Sequence, residues 1–221
     1  MFDFDGVIAN SEPLHFDAFR GVLADEQVRL SERDYYDRYL GFDDFGVFRT
    51  LAIERGRSWD EDKIVSLVAR KFARMEALER DRSILFPGAA DAIRRAAAEV
   101  PIAIASGALR PEILRVLERE HLLDAFTAIV AAGDTPESKP APDPYLKAVA
   151  LLAAAGAAPL SASDCVAIED SRWGLESARA AGLRTVAVAQ TYDARELPDV
   201  DLVIPTLAAL DVSALRRLAT F

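Results

Sequence analysis

From residue 84 onward the chain alternates short apolar segments with amphipathic ones, and this alternation restricts its fold more than any other feature. The apolar segments are 101–105, 126–131, 165–168, 183–189 and 202–204. They lack a regular polar alternation, which is typical of strands buried on both faces. Strands that alternate with helices form a parallel sheet covered by helices. We therefore predict an α/β fold with a Rossmann-like parallel sheet and helices on both faces.

One segment, 10–83, interrupts this alternation with helical periodicity and many charges. It follows a short apolar segment, Met1–Phe4, that is typical of a strand end running into a loop. Because no strand is predicted inside 10–83, we interpret it as an inserted α-helical cap domain. The α/β core is then discontinuous and comprises 1–9 and 84–221. Within the cap, 41–44 is interpreted as either a loop or a helix boundary.

Composition and charge restrict the partners. The net charge of −10 argues against nucleic acid, which is bound by concentrated Lys and Arg. The longest apolar run, 148–160, is shorter than the ~20 residues of a membrane span. The only cysteine is Cys165, and the N-terminus lacks the pattern of a signal peptide. We expect a cytoplasmic protein without a nucleic-acid or membrane partner; its oligomeric state stays open, and a monomer is compatible.

Polar residues follow the predicted strands where each one ends. Open parallel sheets bind ligands beyond the carboxyl ends of their strands, so these residues are expected at one edge. The set comprises Asp3, Asp5, Ser106, Gly107, Lys139, Glu169 and Asp170. This convergence predicts a site and not merely a series of turns.

The four carboxylates of this set suit a divalent cation. Asp3 and Asp5 share a face in extended backbone, and Glu169 and Asp170 add two further acids. Carboxylates this close repel one another unless a cation lies between them. Oxygen ligands without His or Cys favour Mg²⁺. The sequence therefore predicts a magnesium site.

The motifs resemble those of the haloacid dehalogenase-like superfamily, in the family's order. Phe2-Asp3-Phe4-Asp5-Gly6-Val7 resembles its first motif and Ser106-Gly107 its second. Lys139, within 138–144, resembles the third, and Ile168-Glu169-Asp170-Ser171 the fourth. The insertion resembles the helical cap of the branch that contains β-phosphoglucomutase and many sugar-phosphate phosphatases.

The resemblance implies a role for each residue. Asp3 would attack phosphorus and become an aspartyl phosphate, and Asp5 would protonate the leaving oxygen and then activate water. Mg²⁺ would be held by Asp3, the backbone carbonyl of Asp5 and Asp170, with Glu169 acting directly or through water. The transferring phosphoryl group would be bound by Ser106, the backbone N–H of Gly107 and Lys139.

These roles predict a Mg²⁺-dependent phosphatase whose partner is a small phosphorylated metabolite, such as a sugar phosphate or a phosphoglycolate-like compound. Asp5 disfavours dehalogenation and phosphonate cleavage, since family members with those activities lack an acid there. A β-phosphoglucomutase-like mutase is the alternative. A catalytically silent binding or scaffold protein is a third interpretation, disfavoured because every catalytic residue type is retained.

The cap offers weaker signals. His15 could face the substrate or pack at a hinge. Arg49, Lys63, Arg70 and Lys71 could hold a second phosphate group, as a mutase requires, or could be ordinary solvated charges. We expect the cap to close over Asp3 and Asp5 and exclude bulk water during phosphoryl transfer.

Overall fold

A computed structural model describes residues 1–39, 42, 44–80, 83–156, 159–197 and 199–219. Its α-helices are α1 Glu12–Asp25, α2 Glu32–Arg38, α3 Asp44–Glu54, α4 Glu61–Glu79, α5 Ala89–Glu99, α6 Arg110–Arg119, α7 Asp143–Ala155, α8 Arg172–Ala180 and α9 Val212–Leu218. Its strands are β1 Ala103–Ala105, β2 Ala128–Val130, β3 Val166–Glu169, β4 Arg184–Val188 and β5 Leu202–Ile204. Each strand overlaps a predicted apolar segment, and the predicted α/β class is confirmed. Gly41 and Asp43, in the segment 41–44 interpreted as a loop or a helix boundary, lie outside the described residues.

All strand pairs are parallel, and the N-terminal segment lies between two of them. β1 pairs with β2, and β3 pairs with β4, which pairs with β5. Phe2 bridges Ile104 of β1 and Ile168 of β3, so the order across the sheet is β2, β1, the N-terminal segment, β3, β4, β5. The backbone N–H of Asp3 donates to the Ile168 carbonyl at 2.9 Å. This register brings Asp3 to the level at which β1 and β3 end.

Helices α7 and α8 pack against the sheet, and the segments that precede them in the chain lie at this edge. α7 contacts β1 and β2, α8 contacts β3 and β4, and the two helices contact each other. The buried cluster beneath them contains Tyr145, Ala148, Cys165 and Ala178. Burial raises the pKa of the Cys165 thiol, which disfavours the reactive thiolate. The packed helices therefore provide a rigid support for the side chains at the strand ends.

The chain forms two units, Met1–Asn10 with Ile84–Phe221, and Ser11–Ser83. The second, called here the helical unit, has its own apolar core. Phe19, Tyr35 and Phe48 pack together there, with the Phe19 and Phe48 rings 5.2 Å apart. α1, α3 and α4 form the main contacts of this unit. Among the described residues, every helix is too short or too polar to cross a membrane.

Candidate active site

Asp3 lies in a largely dry position and is held from two sides. Its side chain accepts a hydrogen bond from the backbone N–H of Phe4, 2.7 Å from Oδ1. The Lys139 ammonium lies 3.1 Å from the same oxygen and 2.5 Å from Oε1 of Glu169. Asp3 and Glu169 are both buried. Lys139 is therefore positioned to compensate negative charge on Asp3 or on a group bound to it.

Three buried carboxylates meet at the predicted edge. Asp3, Glu169 and Asp170 each offer an oxygen, and these oxygens lie within 4.8 Å of one another. Burial, and then the charge of Asp3, raises the pKa of Glu169 to about 7 despite the opposing effect of Lys139. Burial, and then the charge of Glu169, raises the pKa of Asp170 well above its usual range. One lysine does not balance three acids, so an all-oxygen cluster of this kind fits a divalent cation such as Mg²⁺.

The turn after Asp3 is shaped by Gly6. Its φ of +74° lies in the left-handed region, and a Cβ at this position would overlap the Asp170 carboxylate. Gln190 donates its side-chain N–H groups to the carbonyls of Gly6 and Val7, both at 2.8 Å. The Thr191 hydroxyl donates to the Gly6 carbonyl at 3.2 Å, and the Asp170 carboxyl lies beside the same hydroxyl. The segment after β4 thus fastens the first motif to Asp170.

The remaining predicted residues lie at the ends of neighbouring segments. Ser106 directly follows β1 and is buried, and its backbone N–H donates to the Val130 carbonyl at 3.0 Å. The Ser106 hydroxyl accepts from the backbone N–H of Ala108 at 3.2 Å, while Gly107 is exposed. Asp5 is half-buried in the turn that bridges to Ala9. All seven residues of the predicted set thus lie at the ends of strands, or in the segments that follow them, as the sequence predicts for the carboxyl edge of the sheet.

The family model described as haloacid dehalogenase-like hydrolase matches residues 1–188, which contain all of these segments. The chain belongs to the haloacid dehalogenase-like hydrolase family. The resemblance of the four motifs is thereby confirmed at the level of the family. The roles of individual residues, and the identity of the substrate, stay predictions.

Similar curated proteins include one named as a phosphatase and one named as a mutase. Protein CbbY of Rhodobacter capsulatus is 34% identical over 229 residues, covering 99% of this chain and 97% of its own. Hexitol phosphatase B of Escherichia coli is 32% identical, covering 85% and 82%. β-Phosphoglucomutase of Bacillus subtilis is 30% identical, covering 98% and 93%.

A solved structure shares the fold. CbbY of Rhodobacter sphaeroides, a D10N mutant in complex with xylulose-1,5-bisphosphate, matches with a TM-score of 0.80 and 26% identity. The match covers 95% of this chain and 94% of that one. The haloacid dehalogenase-like fold therefore extends over nearly the whole chain.

In the helical unit, His15 and Lys71 lie together in a partly buried polar group. The Lys71 ammonium lies 2.7 Å from Nδ1 of His15 and 2.8 Å from Oδ1 of Asp44, and 5.1 Å from the Phe19 ring centre. Burial, and then the charge of Lys71, lowers the pKa of His15 to about 3. An ammonium only donates, so Nδ1 accepts and the proton of the neutral ring lies on Nε2. The interpretation of Lys71 as a solvated charge was wrong, since 1% of its side chain is exposed.

The other three cations proposed for a second phosphate are also paired. Arg49 pairs with Glu61, and Lys63 lies 2.9 Å from Glu26. Arg70 pairs with Asp25 at 2.7 Å and with Glu26 at 2.5 Å. Each proposed cation of the helical unit therefore has an acidic partner inside the same unit.

Sequence reasoning missed Tyr145, Gln190 and Thr191, which contact the site from outside the four motifs. Gln190 and Thr191 follow β4, so their place after a buried strand was an available signal. Tyr145 lies in the first turn of α7, where its aromatic ring is typical of core packing.

We expect the stabilisation given by Mg²⁺ to grow with pH. The pKa of Glu169 is 4.5 in the unfolded chain and about 7 in the folded, metal-free protein. Between these two pH values the folded protein keeps a proton on Glu169, whereas the unfolded chain releases it. The stability linked to this proton is fully present below pH 4.5 and is lost as pH rises through that window. Mg²⁺ needs the ionised form, so it competes with the proton at low pH and binds freely at high pH.

Thermal unfolding with and without saturating Mg²⁺ measures this effect. The increase in Tm should be small near pH 5 and several degrees near pH 8, on the order expected when ligand far exceeds its Kd. Asp170→Ala should remove most of the increase at the higher pH. An equal increase for the wild-type protein at both pH values would contradict the assignment of Glu169 and Asp170 to the cation site.

Proposed function

We propose that this protein is a Mg²⁺-dependent phosphatase that hydrolyses a small phosphomonoester, such as a sugar phosphate, through an aspartyl phosphate on Asp3. The observation that carries the proposal is the buried group formed by Asp3, Glu169, Asp170 and Lys139 at the edge of the sheet. Phosphoryl transfer depends on alignment and charge compensation, which this group would supply.

Asp3, Glu169 and Asp170 are the residues that would hold Mg²⁺, together with the Asp5 carbonyl. When bound, the cation supplies positive charge to the non-bridging phosphoryl oxygens. Lys139 supplies a second positive charge beside Asp3. The Ser106 hydroxyl and the backbone N–H of Gly107, an exposed residue, would complete the binding of the phosphoryl group.

The proposed reaction has two steps, transfer of the phosphoryl group to Asp3 and hydrolysis of the aspartyl phosphate. In the first, a carboxylate oxygen of Asp3 bonds to phosphorus, the bond from phosphorus to the substrate oxygen breaks, and Asp5 gives that oxygen a proton. In the second, Asp5 takes a proton from water, the water oxygen bonds to phosphorus, and the bond to Asp3 breaks. Inorganic phosphate leaves, and both aspartates return to their starting forms.

The charge pairing in the helical unit favours a phosphatase over a mutase. A mutase exchanges phosphoryl groups with a sugar that already carries one, so it must hold a second phosphate group. Arg49, Lys63, Arg70 and Lys71 are each matched by an acid within the unit, which leaves little positive charge for that purpose. The similarity of this chain to a protein named hexitol phosphatase B also favours a phosphatase. The β-phosphoglucomutase relative keeps the mutase as the second candidate.

The test is phosphate release from a panel of phosphorylated metabolites in the presence of Mg²⁺, with β-glucose 1-phosphate assayed separately for isomerisation. The best substrate is then labelled at phosphorus and used in a single turnover with enzyme in excess. We expect most of the label in inorganic phosphate. Label recovered mainly in a sugar bisphosphate would establish the mutase instead, and no transfer from any substrate would favour the silent-protein interpretation.

A further inference from the structure

Tyr145 is fully buried in the first turn of α7, and none of the four motifs includes it. Its hydroxyl donates a hydrogen bond of 2.7 Å to Oε1 of Glu169. A buried hydroxyl needs a partner, but here the partner is one of the three carboxylates of the candidate metal site. The contact therefore links the helix that follows Lys139 directly to the cation position.

The two oxygens of Glu169 are in different environments. Oε1 accepts from Tyr145 and also from Lys139, which lies 2.5 Å away. Oε2 has one contact among the described residues, with the Ser171 hydroxyl at 3.4 Å, which is long for a hydrogen bond. Since a carboxylate oxygen offers two lone pairs, Oε1 is saturated and Oε2 keeps its capacity to accept.

The space around Glu169 leaves the carboxylate little freedom to turn. A Cβ at Gly174 would overlap this carboxylate, so the helix backbone of α8 lies directly against it. The Tyr145 hydroxyl adds a second close neighbour through its hydrogen bond to Oε1. Turning the carboxylate out of its present plane would break the hydrogen bonds from Tyr145 and Lys139 at once.

Lys139 alone cannot keep this orientation through the reaction. Its ammonium is shared between Glu169 and Asp3, and the proposed mechanism draws it toward the phosphoryl group on Asp3. The Tyr145 hydroxyl has a single proton, which it donates to Glu169. It is also neutral, so it orients the carboxylate without cancelling the charge that attracts a cation.

We propose that Tyr145 is a positioning residue for the metal site, which holds Oε1 of Glu169 so that Oε2 serves Mg²⁺ directly or through a water molecule. The inference rests on the metal requirement of the proposed function. Residues that orient metal ligands through hydrogen bonds typically change metal affinity by about 10-fold to 100-fold when they are removed.

The experiment is calorimetric titration of Mg²⁺, and of Mn²⁺ as a second probe, into the metal-free full-length protein. Tyr145→Phe removes only the hydroxyl, and we expect the Kd to rise about tenfold. Tyr35→Phe is the matched control, because Tyr35 is also a buried tyrosine that donates to a carboxylate, Glu12, at 2.8 Å in the helical unit. Its Kd should stay at the wild-type value.

Turnover gives a readout that a merely structural role would not move. With any phosphomonoester that the wild-type protein hydrolyses, kcat of Tyr145→Phe should recover at high Mg²⁺, because the defect lies in cation affinity. A deficit in kcat that saturating Mg²⁺ leaves unchanged would overturn the inference. So would an unchanged Kd for Tyr145→Phe when the wild-type protein binds the cation.

Glu169→Gln keeps the test decisive if Tyr145→Phe does not fold. The amide has a single oxygen, which Lys139 and Tyr145 would hold, so its NH₂ group would replace Oε2 and the Kd should rise by more than about tenfold. An unchanged Kd for Glu169→Gln would overturn the inference without deciding against the proposed phosphatase function. Failure of the wild-type protein to bind either cation would instead remove the metal requirement itself, and the inference with it.

Discussion

Asp3→Asn is expected to reduce turnover by more than about a thousandfold while the protein remains folded, as the loss of an enzyme's nucleophile typically does. An amide is a poor nucleophile toward phosphorus, and its neutral oxygen is a weaker cation ligand than a carboxylate. The fold should tolerate the change because the amide oxygen can still accept from the Phe4 N–H. Removal of one negative charge also relieves repulsion with the buried Glu169 and Asp170.

Steady-state phosphate release and thermal unfolding, measured on the same preparation, separate these effects. Asp91→Asn is a matched control, since the Asp91 side chain is 77% exposed on α5 and belongs to none of the four motifs. The control should keep wild-type turnover. Near-native turnover by Asp3→Asn would rule out the covalent mechanism.

Removal of the metal is the second large effect that we expect. Chelation should abolish phosphate release, and added Mg²⁺ should restore it, because three buried carboxylates with one lysine cannot bind another anion without a cation. Asp170→Ala should raise the Kd for Mg²⁺ by about a hundredfold or more, since under the proposed function it removes a direct ligand and not merely a supporting group. The unfolding transition should survive, because burial already disfavours the charged form of Asp170.

Titration of Mg²⁺ into the metal-free wild-type protein and into Asp170→Ala gives the affinities, with Asp91→Ala as the surface control. Activity is followed in parallel after exhaustive chelation. Undiminished turnover by the chelated protein would show that the carboxylates at the sheet edge serve some purpose other than cation binding.

Much of the fold could be predicted from the sequence because the strands form where local runs of apolar residues predict them. The apolar segment 126–131 contains β2, and 183–189 contains β4, since both are buried strands bounded by helices. Asp3 and Glu169 converge because parallel strands present their carboxyl ends at one edge. The position of the N-terminal segment between β1 and β3 required the register of Phe2, which no local pattern contains.

Contacts between single side chains from separate elements could not be predicted in the same way. Tyr145 has the size and apolarity of a core residue, and only the position of its hydroxyl relative to Glu169 shows its second role. Lys71 lies in a highly charged helix, where a solvated position is the ordinary expectation. Its burial depends on contacts of its ammonium with Asp44 and His15, which are distant in sequence, so no local pattern predicts it.

The most direct test of the covalent mechanism is to capture the phosphorylated enzyme during turnover. The wild-type protein is mixed with a substrate that it hydrolyses, quenched in acid within the first turnover, digested and analysed by mass spectrometry. A second sample is reduced with borohydride, which converts an aspartyl phosphate to homoserine. We predict one phosphoryl group on the peptide that contains Asp3, homoserine at position 3 after reduction, and decay of the signal at the rate of phosphate release. Turnover with no phosphoryl group on Asp3 at any time, or with the group on another residue, would contradict the mechanism.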